Sequence, residues 1–167
     1  MIVQGFVAAG LLCFAGCATT PEPAARQLAP RPAGSQPSIW PVYSEQAKVT
    51  SPFGMRVHPI SGERRMHNGI DISAPSGTPV YATADGAVTF SGEQRGYGNM
   101  VIISHGNGIE TAYAHLLNRR VDEGDWTKRG AHIGDVGRTG WATGNHLQYE
   151  VRRDGRPVDP MAYLARR

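Results

Sequence analysis

A chain of 167 residues has room for one ordinary domain and a tail, which excludes a multidomain protein. Apolar residues make up 40% and charged residues 19%, and Gly 21 with Pro 12 supply about a fifth of the chain, a composition of short strands and tight turns rather than helices. Two cysteines, Cys13 and Cys17, share one apolar N-terminal stretch, so neither a disulfide framework nor a thiolate zinc site forms further on; any metal falls to the six histidines and the carboxylates, and a net charge of +3 carried almost wholly by arginine suits an anionic surface without implying nucleic acid.

From Met1 to Gly16 the only polar residue is Gln4 and nothing is charged. The run is too short for a membrane-spanning helix of ~20 residues and has the length of the apolar region of an export signal. It ends in Phe14-Ala15-Gly16-Cys17, which resembles the bacterial lipobox, whose cysteine is acylated and becomes the mature N-terminus. Residues 1–16 are therefore expected to be a lipoprotein-type signal peptide and Cys17 the lipidation site. Ala18 in place of aspartate points, by resemblance to sorting rules, to an outer-membrane anchor in the periplasm. Residues 17–38 hold five prolines and little that can be buried, and read as a Pro-rich tether.

The remaining residues, 39–167, read as one folded domain of short strands. Ala87 to Ser91 follows Asp85-Gly86; Met100 to Ser104 and Ile109 to Ala114 flank His105-Gly106-Asn107-Gly108 as a β-hairpin. Ala131 to Val136 lies between glycines, and His146 to Val151 is closed by the turn Arg153-Asp154-Gly155-Arg156. In this last strand Leu147, Tyr149 and Val151 share one face, and His146, Gln148 and Glu150 the other. Helical periodicity is confined to the stretch from Pro160 to Ala165.

Three segments carry chemistry. In His67-Asn68-Gly69-Ile70-Asp71 a histidine and an aspartate bracket an Asn-Gly bend that lets both converge on one cation, although solvent-facing polar residues share that spacing. Tyr113-Ala114-His115-Leu116 ends the return strand of the hairpin with a histidine. His146-Leu147-Gln148 projects two polar side chains from one face about 6 to 7 Å apart.

Taken together and in order, HNGID, AYAHL and TGNHLQYEV resemble the lysostaphin-type (LytM-like) zinc metallopeptidases that cut peptide cross-links of bacterial peptidoglycan. SPFGMR with His58-Pro59, SAPSGTPV, GYGN, GDVG and PVDP look like further landmarks, and the resemblance covers roughly residues 45 to 164. It implies an all-β, antiparallel domain of the duplicated hybrid motif type. It also implies roles: His67 and Asp71 as zinc ligands, His146 and His115 as the catalytic histidines, and position 148 as the third ligand, where the family has histidine and this chain has Gln148. An intact site of that kind leaves an open zinc position for water and polarises the scissile carbonyl.

Gln148 is the departure that matters, because a carboxamide oxygen is a much poorer zinc donor than an imidazole nitrogen. Three outcomes are open: weak ligation by Gln148, a cation held by His67 and Asp71 with water, or no metal and a cleft that only recognises its ligand. Of the other histidines, His58 and His105 sit in segments that resemble ordinary family loops, which leaves His132 as the alternative to Gln148, against a structural role for that side chain. Asn68, Tyr113 and Trp141 are candidates to line the substrate groove, with buried packing the alternative for the two aromatics, and Arg56, Arg64 and Arg65 either meet stem carboxylates or stay solvated. Two functions follow: a zinc endopeptidase acting on peptidoglycan, or a catalytically silent cell-wall binder that activates a peptidoglycan amidase.

Overall fold

Alternation of apolar and polar side chains builds the strands, and glycine sets their turns. The structure, a computed structural model, describes residues 34–57 and 62–165; the expected signal peptide, Cys17, most of the tether and His58 lie outside these. In chain order the strands are β1 (Lys48–Ser51), β2 (Gly54–Val57), β3 (Arg64–His67), β4 (Ile70–Ser73), β5 (Pro79–Tyr81), β6 (Gly86–Gln94), β7 (Gly98–Gly106), β8 (Ile109–Arg119), β9 (Trp126–Thr127), β10 (His132–Val136), β11 (His146–Arg153) and β12 (Arg156–Val158). The main sheet runs β1-β4-β11-β8-β7-β6-β9, with β10 joining β5 to β8 and β12 extending β11, while β2 and β3 form a separate hairpin. Every pairing is antiparallel. The expected C-terminal helical tendency is realised as one 3-10 turn, Pro160–Ala162, capped by the Asp159 carboxylate.

The strands read from sequence are present as β6, β7, β8, β10 and β11; all but β10, which starts one residue later at His132, are somewhat longer than their apolar runs. The five strands before them have three or four residues each, and in β3 the first three residues, Arg64, Arg65 and Met66, are all exposed and His67 is buried, so no alternation signals that strand. They are strands because tertiary pairing makes them so.

One face of the sheet buries the main core, in which Ile70, Ile72, Val101, Ile103, Tyr113, Leu147, Tyr149 and Val151 interlock. The other face carries a smaller cluster of Met100, Ala112 and Ala114 against Phe90, Tyr97 and Ile102. Its small alanines leave space above the sheet, and polar side chains of β4 and β11 occupy it.

Tyr113 does not line a groove, contrary to the sequence reading. It faces the main core, fully buried, with its ring 5.4 Å from that of Tyr149. Its hydroxyl accepts from the Thr83 N–H (2.9 Å) and the Thr111 hydroxyl (3.0 Å), and the Thr83 hydroxyl also meets Tyr149 Oη at 2.9 Å. Strand parity explains the reversal: Ala112 and Ala114 face the site, so Tyr113 between them cannot. His105 belongs to the same internal network, bridging the Asp85 carbonyl and the Thr111 hydroxyl.

Gly69 sits where β4 comes against β11, and a Cβ there would strike the Tyr149 carbonyl oxygen and come within 2.9 Å of Glu150 Cγ. Gly69→Ala is expected to lower stability by about 2 kcal/mol in denaturant unfolding, because backbone rather than a flexible side chain must yield. Tyr113→Phe is expected to cost about 1 to 2 kcal/mol in the same measurement, since it leaves the buried Thr83 N–H without its acceptor, and to leave ligand binding in the cleft unchanged.

Candidate metal centre and substrate cleft

Register places the site. Gln148 on β11 stands directly across from Asp71 on β4 and from Ala114 on β8, so Asp71 and Gln148 project side by side from the face opposite the main core. His67 ends β3 and enters from the small hairpin. Its Nδ1–H donates to the Pro52 carbonyl (2.9 Å), which leaves the Nε2 lone pair pointing inward. Nε2 lies 3.0 Å from Asp71 Oδ1, and these two atoms are buried and form no hydrogen bond.

Asp71 is held from its other side by Arg56, whose guanidinium reaches Oδ2 at 3.1 Å. Burial pushes the Asp71 carboxyl up, but His67, His146 and Arg56 together outweigh burial and hold it below the ordinary aspartate value. Arg56, read from sequence as solvated or facing substrate, thus orients a ligand candidate.

His146 donates from Nδ1 to the Gly144 carbonyl (2.9 Å) and brings Nε2 to 3.7 Å from Asp71 Oδ1. Its ring centroid is 4.7 Å from that of His115. His115 reaches the site by a departure from strand geometry. Leu116 returns to the main core while Ala114 faces the site, the β7–β8 register slips between Asn99 and Val101, and His115 adopts φ 60°. This is a β-bulge with a non-glycine residue in the left-handed region, a conformation that histidine tolerates better than most residues. Without it, alternation would bury the imidazole in the main core.

Glu150 fixes the orientation of Gln148. Fully buried, it accepts two bonds from Arg152 on Oε2 (2.6 and 3.0 Å), and on Oε1 one from the Tyr97 hydroxyl (3.0 Å) and one from Gln148 Nε2–H (2.9 Å). A carboxylate only accepts, so the amide cannot turn over, and its Oε1 must face His115 Nε2 at 3.1 Å. His115 Nδ1–H meanwhile donates to the Thr139 carbonyl at 2.7 Å. Filling both bonds needs two ring protons, whereas burial pushes the His115 imidazole below the ordinary histidine value, with the Thr139 carbonyl opposing that push and His146 adding to it. The ring thus holds its second proton loosely.

Among the described residues no three His, Cys, Asp or Glu side chains converge as a ready metal cage. His67 Nε2 and Asp71 Oδ1 nevertheless suit a divalent cation. Tetrahedral zinc donors at ~2.0–2.2 Å from the metal lie about 3.3 Å from one another, close to the 3.0 Å separation of this unbonded nitrogen and oxygen. The third place, across the strand from Asp71, offers only the Gln148 carboxamide oxygen, shared with His115. His132 does not substitute: its Nε2 is bound to Asp135 Oδ1 at 2.7 Å on β10.

Two adjoining cavities of about 220 and 340 Å³ both include Arg56, His115, Trp141 and Gln148, so the histidines sit on the saddle of a two-sided groove. Asn68 lines the smaller one and Trp141 both. Glu150, Arg152, Tyr97 and Arg95 were not singled out from sequence. The spacing of Glu150 and Arg152 on one face of a strand is the signal that could have shown the buried pair.

The Peptidase family M23 model matches residues 65–160, a span that holds HNGID, AYAHL and NHLQYEV. Over 115 residues the chain is 53% identical to the DD-carboxypeptidase/endopeptidase Mpg of Neisseria meningitidis, a match covering 69% of this chain and 26% of that protein. The chain thus spans about a quarter of the length of the curated relatives it matches first. Among solved structures it is similar to a zinc-containing peptidase from Vibrio cholerae (39% identity, TM-score 0.71, 77% of this chain and 40% of that one). It is also similar to the catalytic domain of lysostaphin from Staphylococcus simulans (31% identity, TM-score 0.64, 70% and 91%). With the motifs, the antiparallel fold and the matched span in agreement, the chain belongs to peptidase family M23, the lysostaphin-type (LytM-like) metallopeptidases.

Proposed function

We propose that this chain is a peptidoglycan-directed metalloendopeptidase that hydrolyses cell-wall peptide cross-links with a weakly held zinc ion. The observation that carries this reading is the buried, unbonded pair of His67 Nε2 and Asp71 Oδ1 in the middle of the groove. His67 and Asp71 would hold the ion, with Gln148 Oε1 as a poor third donor. The chemistry that such an ion supplies is Lewis-acid polarisation of the scissile carbonyl and of the attacking water.

The chain's own residues do the rest. Pro52 fixes the His67 tautomer, and Arg56 fixes the Asp71 carboxylate. His146, with Nδ1 occupied by Gly144, has Nε2 free to take a proton from water. His115, with a loosely held second proton, is placed to donate to the developing oxyanion or the leaving amine. The likeness to Mpg, named a DD-carboxypeptidase/endopeptidase, supports a peptide cross-link as the bond cut. We place the protein in the periplasm, tethered through residues 17–38 to the outer membrane by a lipid on Cys17.

One observation favours the silent alternative: both ends of the Gln148 amide are already hydrogen-bonded, to His115 and to Glu150. In that case the groove binds cell-wall peptides and the protein acts by activating an amidase.

Metal titration separates the two. The full chain, stripped by chelator, is expected to release muropeptides from sacculi only as zinc is added. Gln148→His is expected to lower the zinc concentration for half-activity by at least about tenfold, a change of about 1.4 kcal/mol in affinity. A chain that takes up no zinc by elemental analysis and stays inert in excess metal is not an enzyme, and stimulation of an amidase by that inert protein would then establish the alternative. Labelled palmitate is expected to enter the wild type and not Cys17→Ser.

A further inference from the structure

The smaller cavity is lined by three arginines, and two of them are committed. Arg56 bonds Asp71, and Arg65 makes two bonds to Glu63 Oε2, at 2.6 and 3.0 Å. Arg95 forms no hydrogen bond or ion pair among the described residues; its guanidinium lies instead over the indole of Trp141, 5.8 Å from the ring centroid. The contact is a cation–π one that uses the face of the indole, and the guanidinium N–H groups stay available to a carboxylate, which the fork can take with two parallel hydrogen bonds.

The wall carrying this pair is rigid and is the same wall that positions His115. Trp141 N–H donates to the Gly96 carbonyl (2.8 Å), and His115 N–H to the Tyr97 carbonyl (2.9 Å). A Cβ at Gly98 would strike Thr139, and one at Gly140 would strike the backbone N of Gly98, so the β6–β7 turn and the 139–141 loop meet backbone to backbone. The backbone that carries Arg95 and Trp141 is therefore tied to the backbone that carries His115.

We propose that Arg95, lying over Trp141 on the groove wall, is a subsite for a free carboxylate of the peptide stem, and that it selects stems bearing an ionised carboxyl on the Arg95 side of the reacting bond. This rests on the reading that the groove takes peptidoglycan peptides. It makes Arg95 a specificity residue and Trp141 its positioning partner.

Chelator-treated full chain permits the test, because binding is then read without cleavage. Titration calorimetry compares a soluble cross-linked muropeptide dimer with the same dimer after its carboxyls have been converted to methylamides. Wild type is expected to bind the methylamide about tenfold more weakly. Arg95→Gln is expected to bind both ligands equally, at the weaker level, with Arg95→Lys in between and an unchanged far-UV spectrum in each variant. Trp141→Leu is expected to reduce the preference and keep its sign. If wild type binds both ligands equally, or if Arg95→Gln keeps the tenfold preference, the subsite is wrong and the peptidoglycan reading stands. If wild type binds neither dimer, the peptidoglycan reading itself fails and the subsite with it.

Discussion

The functional face of this protein is organised by one buried carboxylate. Glu150 sits in the interior of β11 with all its acceptor capacity used, by Arg152 from one side and by Tyr97 and Gln148 from the other. Leaving such a group unpaired would cost several kcal/mol, so its four bonds are strongly enforced. They determine the orientation of the Gln148 amide, the position of the Tyr97 ring on the groove wall and, through Gln148, the environment of His115. Gln148, Tyr97 and, through Gln148, His115 thus share a frame whose centre is this residue.

A second constraint is geometric. An antiparallel sheet sends alternate side chains to opposite faces, which suits a sheet that keeps its core on one side and its chemistry on the other. The site needs one more polar group than strict alternation on β8 can provide, and the bulge at His115 provides it. The strain of a non-glycine residue at φ 60° is offset by the bond from the ring Nδ1–H to the Thr139 carbonyl and by the bond from the backbone N–H to the Tyr97 carbonyl. Function and backbone irregularity coincide at this residue for a mechanical reason.

These facts also explain what was legible beforehand. His67, Asp71, His115, His146 and Gln148 could be picked out because their segments are short, ordered and chemically distinctive, and the structure brings all five side chains to one groove. Strand parity alone placed His146 and Gln148 on a common face. Tyr113 was considered for the groove from its neighbourhood in sequence, whereas the same parity, with Ala112 and Ala114 on the site face, sends it to the core. The bulge at His115 leaves no trace in composition, since nothing about Ala114-His115-Leu116 announces a residue in the left-handed region. Glu150 was visible only as one polar position in an alternating strand; its burial depends on Tyr97 and Arg152 arriving from elsewhere. Of the short strands before β6, β3 lacks apolar alternation and is held by its pairing with β2, and β4 alternates Ile70 and Ile72 with Asp71 over only four residues, too few to stand out.

The Gln148–Glu150 hydrogen bond bears on which side chains position 148 can hold. A histidine there would offer a ring N–H to the buried Glu150 carboxylate, and glutamine meets the same acceptor with its amide N–H. Glu150 is therefore satisfied without an imidazole, and the buried frame around it does not depend on which of the two side chains supplies the donor.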